Sequence, residues 1–136
     1  MSKTQMGKFL LDTTALIDFS KGREPAKSKI LEMIESSEVG VCAINVAEFY
    51  TGLPLEKRKA WEEFFNSLLY WNINLETAKL AGCFRSNFAK KGQPLTTTDT
   101  LVAATAKQEG ATLVTSNIKD YPMKEVALLQ INTSDS

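Results

Sequence analysis

Short β-rich runs and helical segments take turns along this chain, and that alternation limits its possible folds more than any other feature. "KFLL" reads as a buried strand over Phe9–Leu11 that ends at Asp12, and a turn or short helix then closes at Gly22. Pro25 stands at a helix-starting position, followed by Ile30, Leu31, Met33 and Ile34 at helical spacing. "EVGVCAI" (38–44) is β-rich and breaks at Asn45, after which "NVAEFYTGL" (45–53) is helical. Residues 56–71 spell an amphipathic helix with Trp61, Phe64, Phe65, Leu68 and Leu69 on one stripe, a surface for a core or a subunit interface. "WNINL" (71–75) is a short strand, and 76–92 is a helix stopped by Gly92 and Pro94. Leu101, Val102, Ala103, Ala104 and Ala106 make a small-residue helix that Gly110 ends. "ATLVTSN" (111–117) and "VALLQIN" (126–132) are the last strands. With no linker or repeat, residues 1–136 read as a single α/β domain around a mainly parallel sheet.

In such a sheet the strand C-termini and the helix N-termini gather at one edge, where open α/β sheets bind ligands. Most acidic residues fall elsewhere, on helix faces. Asp12 falls at the end of the first strand, Glu48 in the first turn of the helix after "VGVCAI", and Asp99 at the start of the small-residue helix. Asn117 follows the "TLVT" strand, with Asp120 three residues on. Each has a purely local explanation. Asn45 and Glu48 have capping-box spacing, Asp99 suits a helix N-terminus, Asp12 precedes two threonines, and Asn117 and Asp120 suit a loop. Their shared edge is what the local explanations leave out.

The absence of histidine narrows the chemistry further. It removes Ser-His-Asp and Cys-His catalysis and every zinc site that needs imidazole. Cys42 and Cys83 sit among apolar neighbours without a CxxC, and read as buried thiols of a cytoplasmic protein. No apolar run is long enough to span a membrane. Clustered carboxylates repel unless a cation lies between them, and Mg²⁺ or Mn²⁺ suits an all-oxygen site. Such an ion activates water and stabilises charge on a phosphate, so the expected reaction is hydrolysis of a phosphodiester. There is no GxGxxG, no GxxxxGK[ST], and no second Asp two residues after Asp12. Nucleotide-binding and phospho-aspartate readings lose their support with them. Sixteen basic and sixteen acidic residues cancel, so any nucleic-acid contact needs a local basic patch.

"LLDTTALIDF", "AINVAEFYTGL" and "GQPLTTTDTLVAATAKQEGATLVTSNIKDY", in that order and spacing, resemble a PIN domain, and within that family the VapC-like toxin ribonucleases. The resemblance runs from Phe9 to about Ile131. It implies a three-layer α/β/α sandwich and a Mg²⁺- or Mn²⁺-dependent endoribonuclease. Asp12, Glu48 and Asp99 match the family's three acids, and Asn117 occupies the place of a fourth, with Asp120 beyond it. The expected catalytic set is therefore Asp12, Glu48, Asp99 and Asn117, and the expected metal ligands are Asp12, Glu48, Asp99 and Asp120. One ion or two remain open. The resemblance also implies a VapB-like antitoxin partner, whose Arg could insert among the acids, and a homodimer. Arg85, Lys90 and Lys91, with Lys107, are candidates for positioning RNA phosphates; a solvated helix face explains the lysines equally well. Two alternatives stay open: a PIN-like module that binds RNA or protein without cutting, and a PIN nuclease of RNA processing outside any toxin–antitoxin pair.

Overall fold

The computed structural model describes residues 7–133. Five parallel strands form one sheet: β1 (Lys8–Leu11), β2 (Glu38–Cys42), β3 (Leu69–Trp71), β4 (Thr112–Thr115) and β5 (Leu128–Gln130), in the order β3-β2-β1-β4-β5. The helices are α1 (Thr13–Ser20), α2 (Ala26–Ser36), α3 (Ala43–Thr51), α4 (Arg58–Asn66), α5 (Leu75–Lys90) and α6 (Thr97–Glu109).

Alternation along the strands separates two cores. Leu10 and Leu113 face the layer of α5 and α6, where they meet Phe84, Val102 and Ala103. Leu11, Val39, Val41 and Val114 face the other way, against Leu16, Ile30 and Phe49. The expected three-layer α/β/α sandwich is thus present. The small side chains of α6 let it lie close to the sheet, and Gly110 ends it in the left-handed conformation at φ 65°. Gly40 serves packing in a different way. A Cβ there would stand 2.6 Å from the Trp71 ring, so its hydrogen is what lets the indole cover β2.

Several local expectations need correction. The helix after β2 starts at Ala43, not Asn45, because Asn45 Oδ1 turns back to accept the Cys42 N–H at 3.4 Å from the third helical position. Asn45 therefore does not act as N-cap, and Glu48 lies in the second turn. The amphipathic helix ends at Asn66; Leu69 leaves the stripe and joins Tyr70 and Trp71 in edge strand β3, pairing with Gly40, Val41 and Cys42. The strand expected at 71–75 is accordingly shifted toward the N-terminus, and Asn74 instead caps α5 by accepting the Thr77 N–H at 3.0 Å. Cys42 is buried as expected, but Cys83 is exposed, since α5 turns its Ala81–Phe84 face inward and leaves Cys83 on the solvent side. Among the described residues, no helix is long and apolar enough to cross a membrane.

Candidate metal centre

The chain winds outward from β1 through β2 to β3, then crosses back to place β4 on the other side of β1. The crevice beyond the C-termini of β1 and β4 is therefore a topological switch point, the usual ligand position in such sheets. Asp12 and Ser116 are the first residues past those two strands. The Asp12 N–H donates to Val114 O at 3.0 Å, which ties the two strand ends together.

Asp12 is only 2% exposed. It caps α1: Oδ1 accepts the Ala15 N–H at 2.9 Å and the Thr14 hydroxyl at 2.7 Å. Oδ2 accepts the Tyr121 hydroxyl at 3.1 Å. Thr14 also bridges to β4, with Thr115 Oγ1 at 3.2 Å and the Ser116 N–H donating to it at 2.8 Å. Glu48 comes in from α3, and the Thr13 hydroxyl donates to its Oε1. Asp99 is the third residue of α6, whose cap is Thr96: Thr96 Oγ1 accepts the Asp99 N–H at 3.1 Å. The Asn117 amide donates to Asp120 Oδ2 at 3.1 Å, so Asn117 orients the carboxylate three residues on.

Asp99 lies within electrostatic reach of Asp120, Glu48 and Asp12. Burial holds the Asp12 carboxyl above the ordinary aspartate range, against opposing hydrogen bonds from Thr115, Ala15, Thr14 and Tyr121. Asp99 is raised as well, by partial burial and then by the negative charges of Asp120, Glu48 and Asp12, while the Thr96 hydroxyl opposes the shift. Tyr121 is pushed far upward by burial and by Asp12 and Asp99, so its phenol stays a protonated donor.

The donor set suits a hard divalent cation. Asp12, Glu48, Asp99 and Asp120 offer oxygen alone, and the mutual repulsion on Asp99 is of the kind a cation relieves. Among the described residues, no three such side chains already stand in a ligating array.

The basic candidates divide. Arg85 braces the approach to α6, donating from Nε to Leu95 O and from Nη1 to Thr97 Oγ1, both at 2.9 Å. Lys90 and Lys91 lie at the end of α5 that leads into the N-terminus of α6, and Lys91 Nζ sits 4.8 Å from the centre of the Phe88 ring. Lys107 is in the last turn of α6, at the far end from Asp99. Thr13, Thr14 and Tyr121 were not singled out from the sequence. Their signal was adjacency, because each stands within two residues of an acid in "LDTT" or "KDY".

A PIN domain model matches residues 9–127. Ribonuclease VapC19 of Mycobacterium tuberculosis is 26% identical over 115 residues, 84% of this chain and 92% of that protein. The tRNA(fMet)-specific endonuclease VapC of Salmonella typhimurium is 26% identical over 121 residues, 85% of this chain and 91% of that protein. A chain of the Rickettsia felis VapBC2 complex, solved on a promoter DNA fragment, superposes with a TM-score of 0.77 at 21% identity, covering 89% of this chain and 96% of that one. The DNA-bound VapBC of Salmonella typhimurium gives 0.76 at 21% identity, covering 91% and 98%. With the family model spanning nearly all of the described residues, this chain belongs to the PIN-domain family.

Proposed function

We propose that the chain is a divalent-metal-dependent endoribonuclease and the toxin of a VapBC-type toxin–antitoxin pair. The observation that carries this is the set of oxygen donors at the β1/β4 switch point, where Asp99 feels the charges of Asp120, Glu48 and Asp12. The ribonuclease and endonuclease names of the VapC relatives support the substrate class. Asp12, Glu48, Asp99 and Asp120 would hold Mg²⁺ or Mn²⁺, which when bound activates water and neutralises charge on the scissile phosphate. Around that ion the chain's own groups have separate tasks. Thr14 and Tyr121 hold both oxygens of Asp12, Asn117 holds Asp120, and Arg85 steadies the segment that delivers Asp99. Lys90 and Lys91 would attract RNA phosphates toward that end of α6.

The proposal includes a VapB-like antitoxin, in keeping with the solved VapBC assemblies, and a homodimeric toxin. An antitoxin guanidinium between Asp12, Glu48 and Asp99 would pair bidentately with carboxylate and displace the ion. Induction of wild type against Asp99→Asn tests the reading. Wild type should arrest growth and yield cut RNA, while the folded variant does neither; equal cleavage by both would sink it.

Two observations favour a second reading, a PIN module that binds RNA or protein without cutting: among the described residues no three carboxylates stand in a ligating array, and Asn replaces a fourth acid at 117. Calorimetric titration with Mn²⁺ separates the two, because a binding module need not take up the ion.

A further inference from the structure

Among the described residues the buried acids are Asp12 and Asp18, and the metal centre uses only the first. Asp18 is 7% exposed and is the sixth of the eight residues of α1. Three local effects weigh against an aspartate there. It is a poor helix former, its charge opposes the dipole at a helix C-terminus, and burial strips its hydration. A buried ion pair does not by itself answer these costs, since apolar side chains of similar size often serve a core as well. What Asp18 holds is more telling. Arg23 Nη1 donates to its Oδ1 at 2.7 Å from the turn after α1, and the Ser116 hydroxyl donates to its Oδ2.

Ser116 is the first residue past β4, and all its polar groups are engaged. Its N–H donates to Thr14 Oγ1 at 2.8 Å, its carbonyl accepts from Gln130 Nε2 at 2.9 Å, and its hydroxyl goes to Asp18. It stands between the two halves of the centre. On one side Thr14 donates to Asp12 Oδ1 at 2.7 Å. On the other, Asn117 follows directly and donates to Asp120 Oδ2 at 3.1 Å. Residues 117–119 are exposed, so burial does little to steady the segment that presents Asp120. A charge-assisted bond at its base is about twice as strong as a neutral one and can do so. We propose that Asp18 is a positioning residue of the metal centre: anchored by Arg23, it clamps Ser116 and so sets the spacing between Asp12 and the Asn117–Asp120 segment. It touches neither substrate nor ion. This inference rests on the nuclease reading above.

Asp18→Ala and Ser116→Ala, alone and combined in the full chain, provide the test. In chelator, the backbone order parameters of residues 117–120, read by NMR relaxation, should fall in both variants. The fall should run from the rigid range near about 0.85 toward about 0.6, with those of α6 unchanged. Mn²⁺ affinity in calorimetry and kcat on an RNA oligonucleotide should each drop about tenfold, with KM close to wild type. The double variant should lose no more than either single one, because both remove the same bond. Losses that add in the double variant overturn the clamp. So does a 117–120 segment as rigid as in wild type, or a loss of stability in urea with Mn²⁺ affinity and kcat intact, since Asp18 then only props α1. If wild type itself neither takes up Mn²⁺ nor cuts RNA, the nuclease reading fails by itself. The metal-free order parameters then decide the clamp alone, by falling in both variants or holding.

Discussion

The Tyr121 hydroxyl donates to Asp12 Oδ2 at 3.1 Å, joining residues 109 positions apart in the chain. Both are buried, so the bond fixes the carboxylate in a direction that solvent cannot disturb. Tyr121→Phe keeps the ring in the core and removes only the donor. It should cost about 1 kcal/mol of stability, read by urea unfolding. The bond also favours the Asp12 carboxylate over its acid. Its loss raises the Asp12 pKa further, so the acidic limb of the pH–rate profile should move to higher pH. An unmoved limb would show that Tyr121 only fills space.

Asp12 and Asp99 both have raised pKa values, led by burial. The folded chain therefore binds these protons more tightly than the unfolded chain. Stability from these groups is present at low pH and declines as pH rises from the ordinary aspartate value through the raised ones. In chelator, Asp99→Asn should melt above wild type at about pH 7, and the gap should shrink toward about pH 4. A gap that does not change with pH would contradict the shift. Mn²⁺ should reverse the order, stabilising wild type more than the variant.

Thr14 is a donor to Asp12 and an acceptor for the Ser116 N–H. Thr14→Val keeps the shape and leaves both partners short. We expect a loss of about 1–3 kcal/mol in equilibrium unfolding, and weaker Mn²⁺ binding in calorimetry. Thr14→Ser should restore most of both, because the hydroxyl is what the bonds use.

Gly40→Ala tests the packing of the sheet rather than the centre. The added methyl would stand 2.6 Å from the Trp71 ring, so the ring must shift. Overpacking of this kind costs about 1–3 kcal/mol. Near-ultraviolet circular dichroism of the indole should change with it, while Mn²⁺ affinity stays close to wild type.

The parts of the fold readable from the sequence were those where local signals agree with the global arrangement. β1 with Asp12 at its end, and α6 between Thr96 and Gly110, carry strand, cap and stop signals that are all local. β3 was misplaced because it is a three-residue edge strand whose Leu69 and Tyr70 are 41% and 52% exposed, so burial leaves little pattern there. The start of α3 was misplaced because cysteine is an unusual cap, and because Asn45 works from inside the helix. Asp12, Glu48 and Asp99 could be gathered from topology alone, since parallel strands deliver their ends to one edge. The partners that orient them could not. Tyr121 and Thr115 reach Thr14 or Asp12 across about a hundred residues, and no periodicity encodes such a pairing.

The central position of β1 has a consequence for synthesis. The strand emerges early, yet it pairs with β4 over Phe9–Leu11 and Thr112–Val114, and its acid is completed by Tyr121. A growing chain still short of β4 has only the local bonds of Asp12, to Thr14 and the Ala15 N–H, and lacks both Tyr121 and Asp120. Under the ribonuclease reading, a polypeptide still short of β4 is harmless to the RNA around it, the ribosome's included. The centre is completed only with β4 and the residues that follow it.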